Sequence, residues 1–355
     1  MRKILLLTAA LCLVMAGSAW AFHDGGVAYC GGCHTMHNSQ NNAPVDGDHP
    51  AGNDYLLKDE SASDVCLNCH ATSRGAVFSV DALNPAPEHG AGNFIFLTED
   101  NINDGHGGAS NPILGEESGH SIVAPGRSLS SDTKNLTAPG GTFNSAWLGC
   151  TSCHDPHGTA AFRMLHNAGP IQDNLYTFTA NAPVAEGNSY NAVEAPDLHT
   201  AYHSGMSAWC GNCHGDFHNT SYPSVLKHPT GVSIGAQIAA AYNAYNGSSD
   251  LTGGVQATAY LPQVPFEDVD DATYTTTSTV GPTSSSKVMC LTCHRAHGSS
   301  ARDAGRWDFQ VTGLAEDGHE SGSFTIPNPY DAYQRSLCNK CHVKDAEDEL
   351  VDFTP

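Results

Sequence analysis

The sequence predicts a mostly irregular, coil-rich fold with short helices and few short strands. Apolar residues make up only 40% of the 355 residues, which is low for a globular protein. Glycine and proline, with 36 and 19 residues, join Asn, Ser and Thr in filling long stretches of the chain. Such a polypeptide alone could not bury enough apolar surface to offset the entropy lost on ordering. The fold therefore needs a further source of apolar core, and a third observation, a repeated motif, supplies one.

The repeated motif is Cys-x-x-Cys-His, and every cysteine after residue 20 belongs to a copy. In the attachment motif of c-type haem, two thiols form thioether bonds to the porphyrin and the adjacent histidine becomes an axial iron ligand. The sequence therefore predicts six covalently bound haem c groups. The copies are Cys30, Cys33 and His34; Cys66, Cys69 and His70; Cys150, Cys153 and His154; Cys210, Cys213 and His214; Cys290, Cys293 and His294; and Cys338, Cys341 and His342.

Other meanings of a Cys-x-x-Cys pair do not explain the histidines. A zinc half-site, a thioredoxin-like redox pair or a disulfide framework would not require histidine directly after each pair. Histidine accounts for 20 of 355 residues. Six chance occurrences would have a probability on the order of 10⁻⁸.

Residues 1–21 have the pattern of a secretory signal peptide. Arg2 and Lys3 precede an apolar run, and cleavage is expected after Ala21. Cys12 lies in this segment and accounts for the odd thirteenth cysteine. Export suits c-type haem, which is attached outside the cytoplasmic membrane. No later stretch approaches the roughly 20 continuous apolar residues of a membrane span.

The mature chain, residues 22–355, is predicted to form a single hexahaem domain with an exposed acidic tail at 346–355. The motifs are unevenly spaced, so the sequence shows no uniform repeat. A formal net charge of −22 argues against nucleic acid as a partner and favours solubility.

Three regular elements are expected between the motifs. A helix is predicted from Ser233 to Asn246, with Ser233 as its N-cap. A second helix is predicted to begin near Pro329 and to carry the last motif. Short strands are weakly indicated near residues 273–280.

The second axial ligand of each iron decides the chemistry. Only four methionines follow the signal segment, at Met36, Met164, Met206 and Met289, and they cannot serve six irons. Fourteen histidines lie outside the motifs. The sequence therefore predicts bis-histidine iron throughout, which leaves no open coordination position and suits electron transfer rather than catalysis.

Four motif histidines are followed by a second histidine three or four residues later. On a helix such residues share a face, so both could not bind one iron from opposite sides. The second histidine is therefore expected to reach a neighbouring iron, the alternative being an exposed side chain. The distal candidates are His37, His157, His218 and His297, together with His23, His120 and His228. The other non-motif histidines, at 49, 89, 106, 166, 199, 203 and 319, are expected to be solvated.

Several stretches resemble a known family. AFHDGGVAYCGGCHTMHNS, GHSIVAPG, CTSCHDPHG, HNTSYPSVLKHPTG and YQRSLCNKCHVKD occur in this order between His23 and Asp345. They are similar to segments of the outer-surface hexahaem c-type cytochromes of metal-reducing bacteria that polymerise into conductive filaments, the OmcS-type nanowire cytochromes. The tail beyond Asp345 departs from this pattern.

The resemblance implies a mostly irregular polypeptide wrapped around a continuous haem chain. It further implies a head-to-tail homopolymer at the cell surface that conducts electrons by haem-to-haem hopping to extracellular acceptors. It also implies that His37 binds the iron of the haem at His294 in the adjacent subunit. The other expected partners are redox partner cytochromes.

Two alternative functions remain. One is a soluble periplasmic electron shuttle with the same haems. The other is a multihaem reductase, which would need a haem with an open face; because all six motifs end in histidine and distal histidines are abundant, the chain is expected to be an electron carrier and not an enzyme.

Overall fold

The computed structural model describes residues 30–71, 77–79, 90–98, 100, 112–188, 193–218, 230–247, 252–268, 273–307, 309 and 337–342. The predicted signal segment, the acidic tail and most of the helix predicted after Pro329 lie outside these residues. Of that last helix, the structure describes a 3₁₀ turn at Leu337–Lys340.

The described chain is mostly irregular, which confirms the predicted fold class. Its α-helices are α1 (Cys30–Cys33), α2 (Ala62–His70), α3 (Cys150–Cys153), α4 (Met206–Cys210), α5 (Gly235–Ala244) and α6 (Cys290–Cys293). None of the helices in these residues has the length and apolar character needed to cross a membrane.

Most of these helices contain motif cysteines. Three of them, α1, α3 and α6, are single turns that run from the first cysteine of a motif to the second. In α2 the whole motif lies within a longer helix, whose first turn is capped by the Ser61 hydroxyl accepting the Asp64 N–H. The two thiols therefore project from one helical turn, as attachment to a single porphyrin requires.

Within the described residues, the strands form three separate two-stranded antiparallel sheets. The pairs are β1 (Ser39–Gln40) with β2 (Ala43–Pro44), β3 (Gly169–Ile171) with β4 (Tyr176–Phe178), and β5 (Val184–Glu186) with β6 (Ala201–Ser204). The first hairpin turns at Asn41 and Asn42, both at positive φ, which is the geometry that a two-residue hairpin loop requires. Each small sheet reverses the direction of a segment between motifs, and none of them forms a larger sheet that could pack a hydrophobic core.

Two predicted elements need correction. The helix expected from Ser233 is present, but it runs only from Gly235 to Ala244 and is preceded by Ile234 without a side-chain cap. The Ser233 hydroxyl donates instead to the Ser285 carbonyl at 3.4 Å. The strands expected near residues 273–280 are wrong, because this segment consists of turns and irregular chain.

In the part of the chain that the structure describes, the apolar side chains form four clusters, and each contacts a motif cysteine. The largest contains Tyr242, Tyr274 and Trp307 and packs against Cys293 and Cys341. The other clusters contact Cys150, Cys210 and Cys213. Side-chain packing is thus concentrated at the points where haem would be attached.

Candidate haem-binding sites

The first, third and fifth motifs share one local structure. In each, the helix ends at the second cysteine and the motif histidine pairs in an antiparallel bridge with a later residue. The bridges join His34 to Leu57, His154 to Leu165 and His294 to Gly305. The backbone at His154 and His294 is extended, with ψ of 136° and 158°. The expectation that the motif histidine and the downstream histidine share a helical face is therefore wrong for the third and fifth motifs.

A left-handed residue fixes the ring of each of these histidines. Tyr55, Arg163 and Asp303 have φ of 56°, 48° and 57°, a conformation that L-residues adopt only at a cost. Their carbonyls accept hydrogen bonds from Nδ1 of His34, His154 and His294 at 2.9, 2.8 and 2.8 Å. We call each of these units a histidine clamp.

The carbonyl partner determines the chemistry of the ring. A carbonyl can only accept, so Nδ1 carries the proton and Nε2 is left as the metal-binding nitrogen. His214, in the fourth motif, meets the Pro139 carbonyl at 2.8 Å, and His120 meets the Ala296 carbonyl at 2.8 Å. These five histidines thus have the tautomer and the second-shell bond that metal-ligating histidines use.

Each clamp also holds the end of its helix. The carbonyl of the second cysteine accepts a backbone N–H from the residue that follows the bridge. The bonds are Lys58 to Cys33 at 2.9 Å, His166 to Cys153 at 3.0 Å and Arg306 to Cys293 at 2.8 Å. Thiols and imidazole are therefore positioned by one connected set of backbone bonds.

Three pairs of imidazoles lie at the separation expected across an iron. Metal–imidazole bonds are about 2 Å long and the nitrogen lies about 1.1 Å from the ring centre, so two opposed ligands have centroids roughly 6.3 Å apart. His34 and His157 are 6.4 Å apart with planes 7° from parallel. His154 and His297 are 6.5 Å apart. His120 and His214 are 5.9 Å apart.

Burial favours the neutral form of three of these rings. Burial lowers the pKa of His120 and of His154, and it lowers the pKa of His297 to about 3. His120 nevertheless retains exposed surface. Because a metal binds the neutral imidazole, both the donor set and its protonation state fit haem iron.

Thiols of successive motifs lie close together. None of the motif cysteines forms a disulfide bond. A hydrogen bond between Cys66 and Cys150 raises the pKa of the first thiol and lowers that of the second. A bond from Cys290 likewise raises the pKa of Cys210. The second motif is thus adjacent to the third, and the fourth to the fifth.

Cysteines of the other successive motifs, the first and second, the third and fourth, and the fifth and sixth, are also neighbours. Burial and then the charge of Cys69 raise the pKa of Cys33. Burial, with Cys213 as the next cause, raises the pKa of Cys153 to about 12. The same holds for Cys293, where Cys338 is the next cause. The six motifs therefore follow one another in space in their sequence order.

The other predicted distal ligands have different outcomes. His37 is exposed on the single chain. His23 and His228 lie outside the described residues. His218 ends a 3₁₀ helix, and only its backbone is described.

Sequence reasoning missed two buried polar features. His199, expected to be solvated, is fully buried, and its two ring nitrogens face the carbonyls of Thr200 and Ser278. Glu194 forms ion pairs of 3.2 Å with Arg295 and Arg306. The position of Arg295 directly after His294 was the one signal available for this cluster.

Comparisons with known proteins agree with this arrangement. No protein-family model matches the chain. It is 35% identical to C-type cytochrome OmcS of Geobacter sulfurreducens over 432 aligned positions, covering 97% of this chain and 99% of that protein. Two solved structures superpose on 91% of this chain and 100% of theirs at 32% identity. They are the outer membrane cytochrome S filament and the OmcS nanowires of the same organism, with TM-scores of 0.79 and 0.78.

Proposed function

This chain belongs to the family of C-type cytochrome OmcS, and we propose that it is a hexahaem electron carrier in which two histidines bind each iron. As a c-type cytochrome it carries covalently bound haem c and transfers electrons rather than catalysing a reaction. The observation that carries the finer proposal is the set of three imidazole pairs at 5.9 to 6.5 Å.

These pairs assign distal ligands to three motifs. His157 serves the motif of His34, His297 serves the motif of His154, and His120 serves the motif of His214. When bound, the haems supply one-electron chemistry that no side chain of the chain could provide. The polypeptide orients the imidazoles, closes both faces of each iron and so excludes small-molecule substrates.

A regular step supports the role of His37. The downstream histidine of the third motif serves the first motif, and that of the fifth motif serves the third. Each therefore acts two motifs earlier in the chain. Two motifs before the first of a six-motif chain is the fifth motif of another copy. His37 is thus assigned to the haem at His294 of the adjacent subunit, in agreement with the role expected from the resemblance.

A ligand shared between copies would make a filament. The joint is head-to-tail and does not close on itself, which generates an open polymer. The same step that links motifs within the chain then links chains, so the relay continues across the joint. We place the filament outside the cell, exported by the segment 1–21, with residues 22–355 as one domain. Partner cytochromes would supply electrons and extracellular acceptors would receive them.

The test combines haem counting with microscopy. Native mass spectrometry should show six haem adducts, and electron paramagnetic resonance should show low-spin ferric iron only. Purified protein should form filaments in electron micrographs. His37→Ala should keep six haems but shorten or abolish filaments, whereas the control Met36→Ala, at an exposed neighbouring position, should not. Filaments of normal length from His37→Ala would refute the shared ligand, and rapid binding of CO to the reduced wild type would favour a reductase.

A further inference from the structure

Lys340 differs from every residue at the same place in the other motifs. The residue before the second cysteine is Gly32, Asn68, Ser152, Asn212 or Thr292 in the first five motifs, and none carries a charge. The first variable position is also uncharged in all six motifs. The sixth motif alone has an ionisable side chain between its two thioether cysteines.

The ammonium group of Lys340 is held inside the protein. Lys340 is 1% exposed, although lysine is almost never fully buried. Its Nζ donates to the Tyr245 carbonyl at 3.2 Å and lies 4.6 Å from the centre of the Tyr242 ring. Both contacts come from α5 and the residue that ends it, so the position of the charge is fixed by packing rather than by a flexible stem.

The charge also lies beside the attachment point. Cys341 follows Lys340 directly and packs against the cluster that contains Tyr242. A cation at this place interacts with a group attached through Cys341 across protein rather than across water, which strengthens the interaction.

We propose that Lys340 is a positioning residue that raises the reduction potential of the haem held by Cys338 and Cys341. A fixed positive charge favours the state with one electron more. At an effective dielectric constant of about 20, a unit charge about 10 Å from a redox centre changes an equilibrium constant roughly tenfold. The inference rests on the proposed electron-carrier function. It makes the last site in the order of motifs a place where an electron is held more tightly, next to the joint between subunits.

The experiment is a redox titration of the assembled six-haem protein, followed by visible absorbance and fitted to six one-electron steps. Lys340→Met should move one component to a lower potential by a roughly tenfold change in its equilibrium constant, about 59 mV for one electron. Lys340→Arg, which keeps the charge, should leave that component near its original potential. If Lys340→Met fails to retain six haems, Lys340→Gln, which keeps a donor for the Tyr245 carbonyl, replaces it.

Two controls separate charge from packing. Lys134→Met removes an exposed lysine that is paired with Glu117, and it should move no component. Asn68→Lys adds a charge at the equivalent place in the second motif, where the side chain is exposed, and solvent should keep the change below about twofold. Unchanged potentials in the neutral variant, or equal shifts in Lys340→Met and Lys340→Arg, would overturn the inference. A wild type with fewer than six haems would instead overturn the proposed function.

Discussion

Gly92 offers a sharp test of how the chain places a distal ligand. Its backbone has φ of +85°, and an added Cβ would lie 2.0 Å from the Gly298 carbonyl oxygen. The two segments are joined by hydrogen bonds from His297 N–H to the Ala91 carbonyl at 2.8 Å and from Asn93 N–H to the Gly298 carbonyl at 2.7 Å. Gly92→Ala must therefore separate the segment around Gly92 from the segment that carries His297 and Gly298.

The size of the effect follows from comparison with Gly235. That residue has φ of +76°, but an added Cβ would meet nothing within 4 Å. Gly235→Ala should therefore cost only the left-handed strain, about 1 to 2 kcal/mol of unfolding free energy. Gly92→Ala adds a steric overlap with backbone, worth about 1 to 3 kcal/mol more. The expected loss in Gly92→Ala is therefore about 2 to 5 kcal/mol of unfolding free energy.

Two measurements check this expectation. Denaturant unfolding followed in the Soret band gives the two free energies. Electron paramagnetic resonance and CO binding report whether the haem of the third motif has lost its sixth ligand. We expect one high-spin iron in Gly92→Ala and none in Gly235→Ala. Equal stabilities together with fully low-spin iron in both variants would refute the reasoning, because His297 would then not depend on this contact.

Three further predictions concern other parts of the site. His157→Ala should open the haem of the first motif, so the reduced protein should bind CO at one site whether or not filaments form; no CO binding would contradict the assignment. Arg163→Gly should relieve left-handed strain and raise the unfolding free energy by up to about 1 kcal/mol, as measured by denaturant titration, with the His154 ligand retained. The Asp46 carboxylate raises the pKa of His49 by a hydrogen bond, so this contribution to stability is present below the unfolded pKa of 6.5 and is lost as the pH rises through the folded value. Asp46→Asn should return the pKa of His49, measured by NMR, towards 6.5, and an unchanged value would contradict the contact.

The coil-rich fold could be predicted because its causes are local and compositional. A chain with little apolar content and a haem motif every few dozen residues has few ways to form a core. The helix at Gly235–Ala244 was also predicted, within a longer expected span from Ser233 to Asn246. Its start was misplaced because Ser233 binds the Ser285 carbonyl, a contact that no local pattern announces.

The pairing of histidines could not be derived from the sequence. His157 and His34 are separated by more than a hundred residues, and nothing near either identifies the other. The histidine clamps were hidden for a similar reason. Tyr55, Arg163 and Asp303 are different residue types, so no sequence pattern links them. What they share is a left-handed backbone conformation and the direction of the carbonyl group. His199 was misjudged because its partners are carbonyls distant in sequence.

The proposed step of two motifs would constrain how such a chain can change in length during evolution. Adding or removing an even number of haem motifs keeps every downstream histidine in phase with its target, both within the protein and at its ends. After an odd change, the histidine that corresponds to His37 would be directed to an even-numbered motif of the adjacent subunit. Such a motif, like the fourth one here, would already have a distal histidine from its own chain, and the subunits could not join. Lineages of this cytochrome are therefore expected to gain or lose haems in twos.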